Sequence, residues 1–99
     1  MYGLIGRLKS PASHRESLIG ILIEASSAMP GCLSYVVAED PSDPEAIWVT
    51  EVWENQYRHQ ASLTLPAVQQ AIEKGRTLIT SFGERFLTRP VGGHGLGAN

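Results

Sequence analysis

The segment Ala46–Trp53 (AIWVTEVW) carries bulky apolar residues at alternating positions on both sides of an extended chain. Alternation along a strand places Ile47, Val49, Glu51 and Trp53 on one face and Trp48, Thr50 and Val52 on the other. The two tryptophans lie five positions apart and so point in opposite directions. Such a strand needs cover on both sides. A chain of 99 residues makes about one domain and buries roughly two-thirds of its unfolded surface, enough for one core. Helices from a single short domain cover one sheet face, so one indole is left on the other. A bare apolar sheet face implies a partner, and a second copy of the chain is the commonest one.

The elements around this strand follow from local chemistry. Tyr2–Lys9 reads as a strand despite Gly3 and Gly6, whose usual meaning is close approach of another backbone or of a ligand. Ser13 and Glu16 have capping-box spacing. Leu18, Ile21, Leu22, Ala25 and Met29 then follow helical spacing until Pro30-Gly31 ends the helix. Leu33–Ala38 is rich in β-formers, and the polar run from Glu39 to Glu45, with two prolines, suits a turn between antiparallel neighbours. Asn55 can cap a short helix through Tyr57, His59, Ala61 and Leu63, and Pro66 suits the first turn of another. Val68, Ala71, Ile72, Gly75 and Ile79 form the stripe of that helix, with Gly75 expected to permit close packing against the sheet. Phe82–Thr88 makes a last strand, and the glycine-rich tail 90–99 is expected to be flexible beyond an ordered core of about 2–89. The order predicts one α+β domain over 1–99: a ferredoxin-like βαββαβ sandwich with a four-stranded antiparallel sheet.

Composition narrows the function classes. The net charge of −2 gives none of the basic footprint of a nucleic-acid binder. The lone Cys32 forms no intramolecular bridge and fits a reducing cytosol. MYGLIGRLKS lacks the long apolar stretch of a signal peptide, and no segment approaches the ~18 apolar residues of a membrane helix. A cytoplasmic protein that meets neither nucleic acid nor membrane is expected. Phosphate-loop, GxGxxG and GxSxG motifs are absent, and the three histidines lack ligand spacing, so no metal site is expected.

PGCLSYVVAED, the strand VTEVWEN and the run HQASLTLPAV together resemble the antibiotic-biosynthesis monooxygenase (quinol monooxygenase-like) family. The resemblance runs from Tyr2 to about Arg89, with Pro30-Gly31-Cys32 and Glu51-Val52-Trp53-Glu54 its most specific pieces. It implies a dimeric α/β barrel, two sheets closing face to face. It also implies a cofactor-independent monooxygenase that oxidises a small aromatic, phenolic or quinol substrate with molecular oxygen. The substrate anion itself hands an electron to oxygen, so the protein must bind it, help deprotonate it and exclude water. A non-catalytic barrel holding a small hydrophobic ligand, and a proton-transfer lyase or isomerase, are the alternatives on the same fold. A haem-degrading branch uses an asparagine on the first strand with tryptophan and histidine on later helices. Here YGLIGRLK has no asparagine, and Ser62 and Ile72 stand in the helical positions, which disfavours that chemistry.

Within this frame His59 is the general-base candidate, since an imidazole titrates near neutrality and the short helix borders the family's cavity; the competing reading is a surface histidine. Glu51, a carboxylate in an apolar strand, is a second base or acceptor, unless it is an ion-pair partner of Arg7 or Arg85. Tyr35 and Trp53 are candidate cavity walls, against plain core packing. Arg85 is a candidate for a substrate oxyanion, against a structural salt bridge. Trp48 is read as a dimer-interface anchor, Cys32 as a small buried hydrophobe, and His14 and His94 as inert.

Overall fold

The computed structural model describes residues 1–96 of the chain. The strands are β1 (Tyr2–Lys9), β2 (Cys32–Glu39), β3 (Ala46–Trp53) and β4 (Ser81–Thr88), and the helices are α1 (Arg15–Ala25), α2 (Gln56–Ser62) and α3 (Pro66–Arg76). The four strands form one antiparallel sheet in the order β2-β3-β1-β4. This is the expected βαββαβ order, and β3 sits inside the sheet, as its two apolar faces require. The expected tail 90–99 has no helix or strand over 91–96, and its last residues, 97–99, lie outside the described part.

The helices lie on the sheet face that carries Ile47, Val49, Glu51 and Trp53. Leu18 of α1 packs on Ile47 and Val49, with Leu8, Ile19, Leu22 and Val37 around them. Leu18, Ile47 and Trp53 are each at most 1% exposed, so each contributes about 1.5–3 kcal/mol through burial.

Four local expectations are corrected. Ser13 does not cap α1: it falls in a 3-10 turn over Ala12–His14 that follows Pro11, its hydroxyl lies 3.5 Å from His14 Nδ1, and α1 starts at Arg15 without a side-chain cap. The helix also stops at Ala25, well before Pro30. Ser26 and Ser27 turn their hydroxyls onto the carbonyls of Ile23 and Glu24, at 2.8 and 2.9 Å, and the chain tightens into a 3-10 turn over Ser26–Ala28. Gly75 is buried, but against α1 rather than the sheet: a Cβ there would stand 3.4 Å from Leu18 Cδ1. Ile79 lies beyond the end of α3.

Other signals translate directly. Asn55 caps α2, its Oδ1 accepting from Arg58 N at 2.9 Å, and Pro66 occupies the first turn of α3. Gly31 takes φ +84°, the left-handed region that a side chain disfavours, and its carbonyl accepts from Glu54 N at 2.9 Å. That turn returns the chain into β2 beside the end of β3.

Among the described residues, no helix lies on the opposite sheet face. Strand pairing aligns Val36, Thr50, Ile5 and Phe86 in one row across all four strands. Val36 and Phe86 are each about half exposed. Trp48 lies on this face with its Nε1 donating to Asp40 Oδ2 at 3.1 Å and the Arg7 guanidinium 6.0 Å from its ring. Arg7 also pairs with Asp43 at 2.8 Å, and Lys9 with Asp43 at 3.0 Å, which pins the β2–β3 turn to β1.

Candidate functional site

Antiparallel pairing puts Tyr35, Glu51, Leu4 and Leu87 in one row on the helix-covered face, and Val37, Val49, Gly6 and Arg85 in the next. The helices cover the β2–β3 half of this face, whereas every residue of β4 is exposed. A cleft therefore opens between α1, α2 and α3 and the floor of the sheet. It has two lobes, of about 560 Å³ and 350 Å³, that share Leu8, Leu22, Tyr35, Glu51, His59 and Phe82. The larger lobe runs under the helices, and the smaller lies over β1 and β4 with Gly6 in its floor. No Cβ neighbour stands within 4 Å of Gly6, so the missing side chain leaves open space. Gly3 has the other meaning of a strand glycine, close approach: a side chain there would meet Thr88 and the Pro90 ring.

Three of the five sequence-derived site residues, Tyr35, Glu51 and His59, converge where the lobes meet; Trp53 borders the larger lobe and Arg85 the smaller. Trp53 is 1% exposed and donates its indole N–H to Glu51 Oε1 at 3.0 Å, a charge-assisted bond that fixes the carboxylate against the sheet. His59 projects from α2 with its Nε2 4.0 Å from the same Glu51 oxygen. Its ring meets Trp53 edge-on at 5.4 Å and tilts against Tyr2 at 5.7 Å. The imidazole is thus turned inward, not outward as a surface histidine would be. Arg85 lines the smaller lobe. The ion-pair readings for Glu51 are not realised: Arg7 spends its guanidinium on Asp40, Asp43 and Glu84, and Arg85 makes no salt bridge among the described residues.

Burial governs the electrostatics. It lowers the pKa of His59 below the ordinary imidazole value; the Glu51 charge opposes this and the Arg85 charge adds to it. A neutral ring at neutral pH is one that can accept a proton. Tyr35 is pushed well above its usual range, by burial first and then by the negative charge of Glu51, so its phenol stays a donor. Burial and then the Glu51 charge raise the Cys32 thiol, which keeps it protonated, and the thiol lies 3.5 Å from the Ser34 carbonyl that it donates to. No group of three or more His, Cys, Asp or Glu able to hold a metal ion occurs among the described residues.

Gly6 and Phe82 line this cleft and Tyr2 packs on the His59 ring; the sequence does not single them out as site residues. The signal for Tyr2 and Gly6 lay in the alternation of β1, which sets them on one face with Leu4 and Leu8. Phe82 is hidden by a register shift between Gly6 and Leu8.

Comparisons with known proteins agree with the geometry. The family model described as antibiotic biosynthesis monooxygenase matches residues 1–74. A crystal structure from Chloroflexus aurantiacus J-10-fl, provisionally assigned as an antibiotic biosynthesis monooxygenase, is 58% identical, with 97% of this chain and 98% of that one covered and a TM-score of 0.94. Another with the same provisional assignment, from Deinococcus radiodurans, is 30% identical over 94% of this chain and 95% of that one, at a TM-score of 0.75. An uncharacterized Synechocystis protein is 28% identical over 82 residues, and the match spans 80% of this chain but 56% of that relative's length. Among the described residues no helix is long and apolar enough to cross a membrane. The chain belongs to the antibiotic biosynthesis monooxygenase family.

Proposed function

We propose that the chain is a cofactor-independent monooxygenase of the cytosol, acting on a small hydroxylated aromatic or quinol. The observation that carries the reading is the inward-facing His59, held neutral by burial and standing 4.0 Å from a carboxylate at the junction of two lobes. In this reading the substrate hydroxyl gives its proton to His59, and Glu51 stabilises the imidazolium that forms. Arg85 and the Tyr35 phenol face the resulting oxyanion as donors. The electron-rich anion passes one electron to dioxygen, and the radical pair joins at a ring carbon that carries one hydrogen, the peroxide taking back the proton held by His59. Loss of water from that peroxide leaves a carbonyl: one oxygen atom enters the product, the other leaves as water, and no external reductant is consumed.

Homodimerisation belongs to the same proposal. The apolar row Val36–Ile5–Phe86 on the helix-free face is the surface a second copy would cover, closing two sheets into a barrel.

The test is turnover of hydroquinones and anthrone-like phenols under isotopically heavy dioxygen, read by mass spectrometry. One heavy atom in the product and one in water is the expected result. Proton exchange at a ring carbon without oxygen consumption would replace the monooxygenase with a proton-transfer enzyme using the same His59–Glu51 pair.

A further inference from the structure

The two lobes of the cleft differ in chemistry as well as in size. The smaller carries the Arg85 guanidinium along its β1–β4 side. The larger is walled by Leu18, Ile21 and Leu22 of α1 and by Val68, Ala71 and Ile72 of α3. Its polar members are Glu51, His59 and the Tyr35 phenol at the junction, the Trp53 N–H that is spent on Glu51, Ser62, and Arg76 at the exposed end of α3. An apolar cavity of about 150 Å³ already accommodates a benzene ring. The larger lobe, at about 560 Å³, therefore leaves most of its aliphatic wall untouched when a single ring stands beside His59. Aliphatic walls also lack the flat faces on which fused rings stack.

We infer that the substrate is an alkyl-substituted hydroxyarene, its oxygenated ring at the junction beside His59 and its aliphatic arm in the lobe between α1 and α3. This rests on the proposed function and adds the substrate class to it. The arm gains affinity by leaving water, about two- to fourfold for each methylene that enters. It also holds the ring in register with His59 by filling the space into which a bare ring would slide. Leu63 and Ile72, 46% and 43% exposed, stand at the mouth of this lobe, where the far end of a long arm emerges.

The experiment measures binding of hydroquinones bearing methyl, butyl or octyl substituents under anaerobic conditions, read by quenching of the fluorescence of Trp53 in the cleft wall. The expected result is a Kd that falls at least tenfold from methyl to butyl and levels off toward octyl as the lobe fills. Ala71→Phe, which occupies the lobe, should bring the ratio of methyl Kd to octyl Kd toward one. If that variant fails to fold, Ile72→Gln at the exposed mouth should reduce the same ratio several-fold. Tight binding of all three probes with equal Kd would overturn the inference and leave the proposed function standing, since the ring would then bind without help from the lobe. A chain-length gain that survives both substitutions would also overturn it. Binding by none of the probes would overturn the proposed function and this inference together.

Discussion

His59 combines two properties that an exposed histidine lacks: an inward geometry and a proton affinity reduced by burial. Glu51 partly restores that affinity, so the carboxylate sets where the imidazole titrates. Glu51→Gln removes the opposing charge, and the acid limb of kcat/KM should move to lower pH while kcat falls; a pH–rate profile of the variant checks both. The sign for stability follows from the same shift. The folded imidazole binds its proton less tightly than the unfolded one, so stability is fully present above about pH 6.5 and declines as pH falls below it. Denaturant melts of wild type and His59→Gln should coincide at pH 8 and diverge on acidification, with the wild type losing more. Tyr35 is proposed as a neutral donor to the substrate oxyanion, so Tyr35→Phe should raise KM about three- to tenfold with a smaller change in kcat, as loss of one hydrogen bond predicts; steady-state kinetics separate the two.

At the scale of elements, the signals that held are those with a single physical solution. Asn55 offers an acceptor where α2 has free N–H groups, and Pro66 has no N–H to leave unpaired. Gly31 is the residue that a left-handed turn tolerates, and β3 alternates regularly enough for its two faces to be legible in its sequence. The capping box failed because Ser13 has the right spacing but the wrong backbone: Pro11 leads into a 3-10 turn that consumes the residue before α1 begins. Premature closure of α1 was equally hidden, since serines either continue a helix or bond back to it. The candidate site was legible residue by residue but not as an assembly. Tyr35 meets Glu51, and Tyr2 meets Trp53, through strand register, and a sequence does not print register. Gly31→Ala tests the element account: the strained φ and the collision with the Arg58 side chain should cost about 1–2 kcal/mol, measured by urea unfolding with an unchanged m-value.

On the scale of the whole molecule, one sheet serves two purposes. Its helix-covered face forms the floor of the cleft, and its open face carries Val36, Ile5 and Phe86, the row proposed to receive a second copy. Light scattering after size-exclusion chromatography should give a dimer at micromolar concentration, and Phe86→Glu should shift it to monomer. A wild-type monomer would mean that the open face is tolerated in water. The central claim is that the cleft passes a substrate proton to His59 and thereby primes reaction with dioxygen. Its most direct measurement is the oxygen-uptake rate with a hydroquinone panel, for wild type and His59→Ala, between about pH 5 and pH 8. The account predicts uptake by the wild type that declines only below the ordinary imidazole range, and a variant slower by about a hundredfold or more without that limb. Equal rates and equal pH profiles in the two proteins would contradict it.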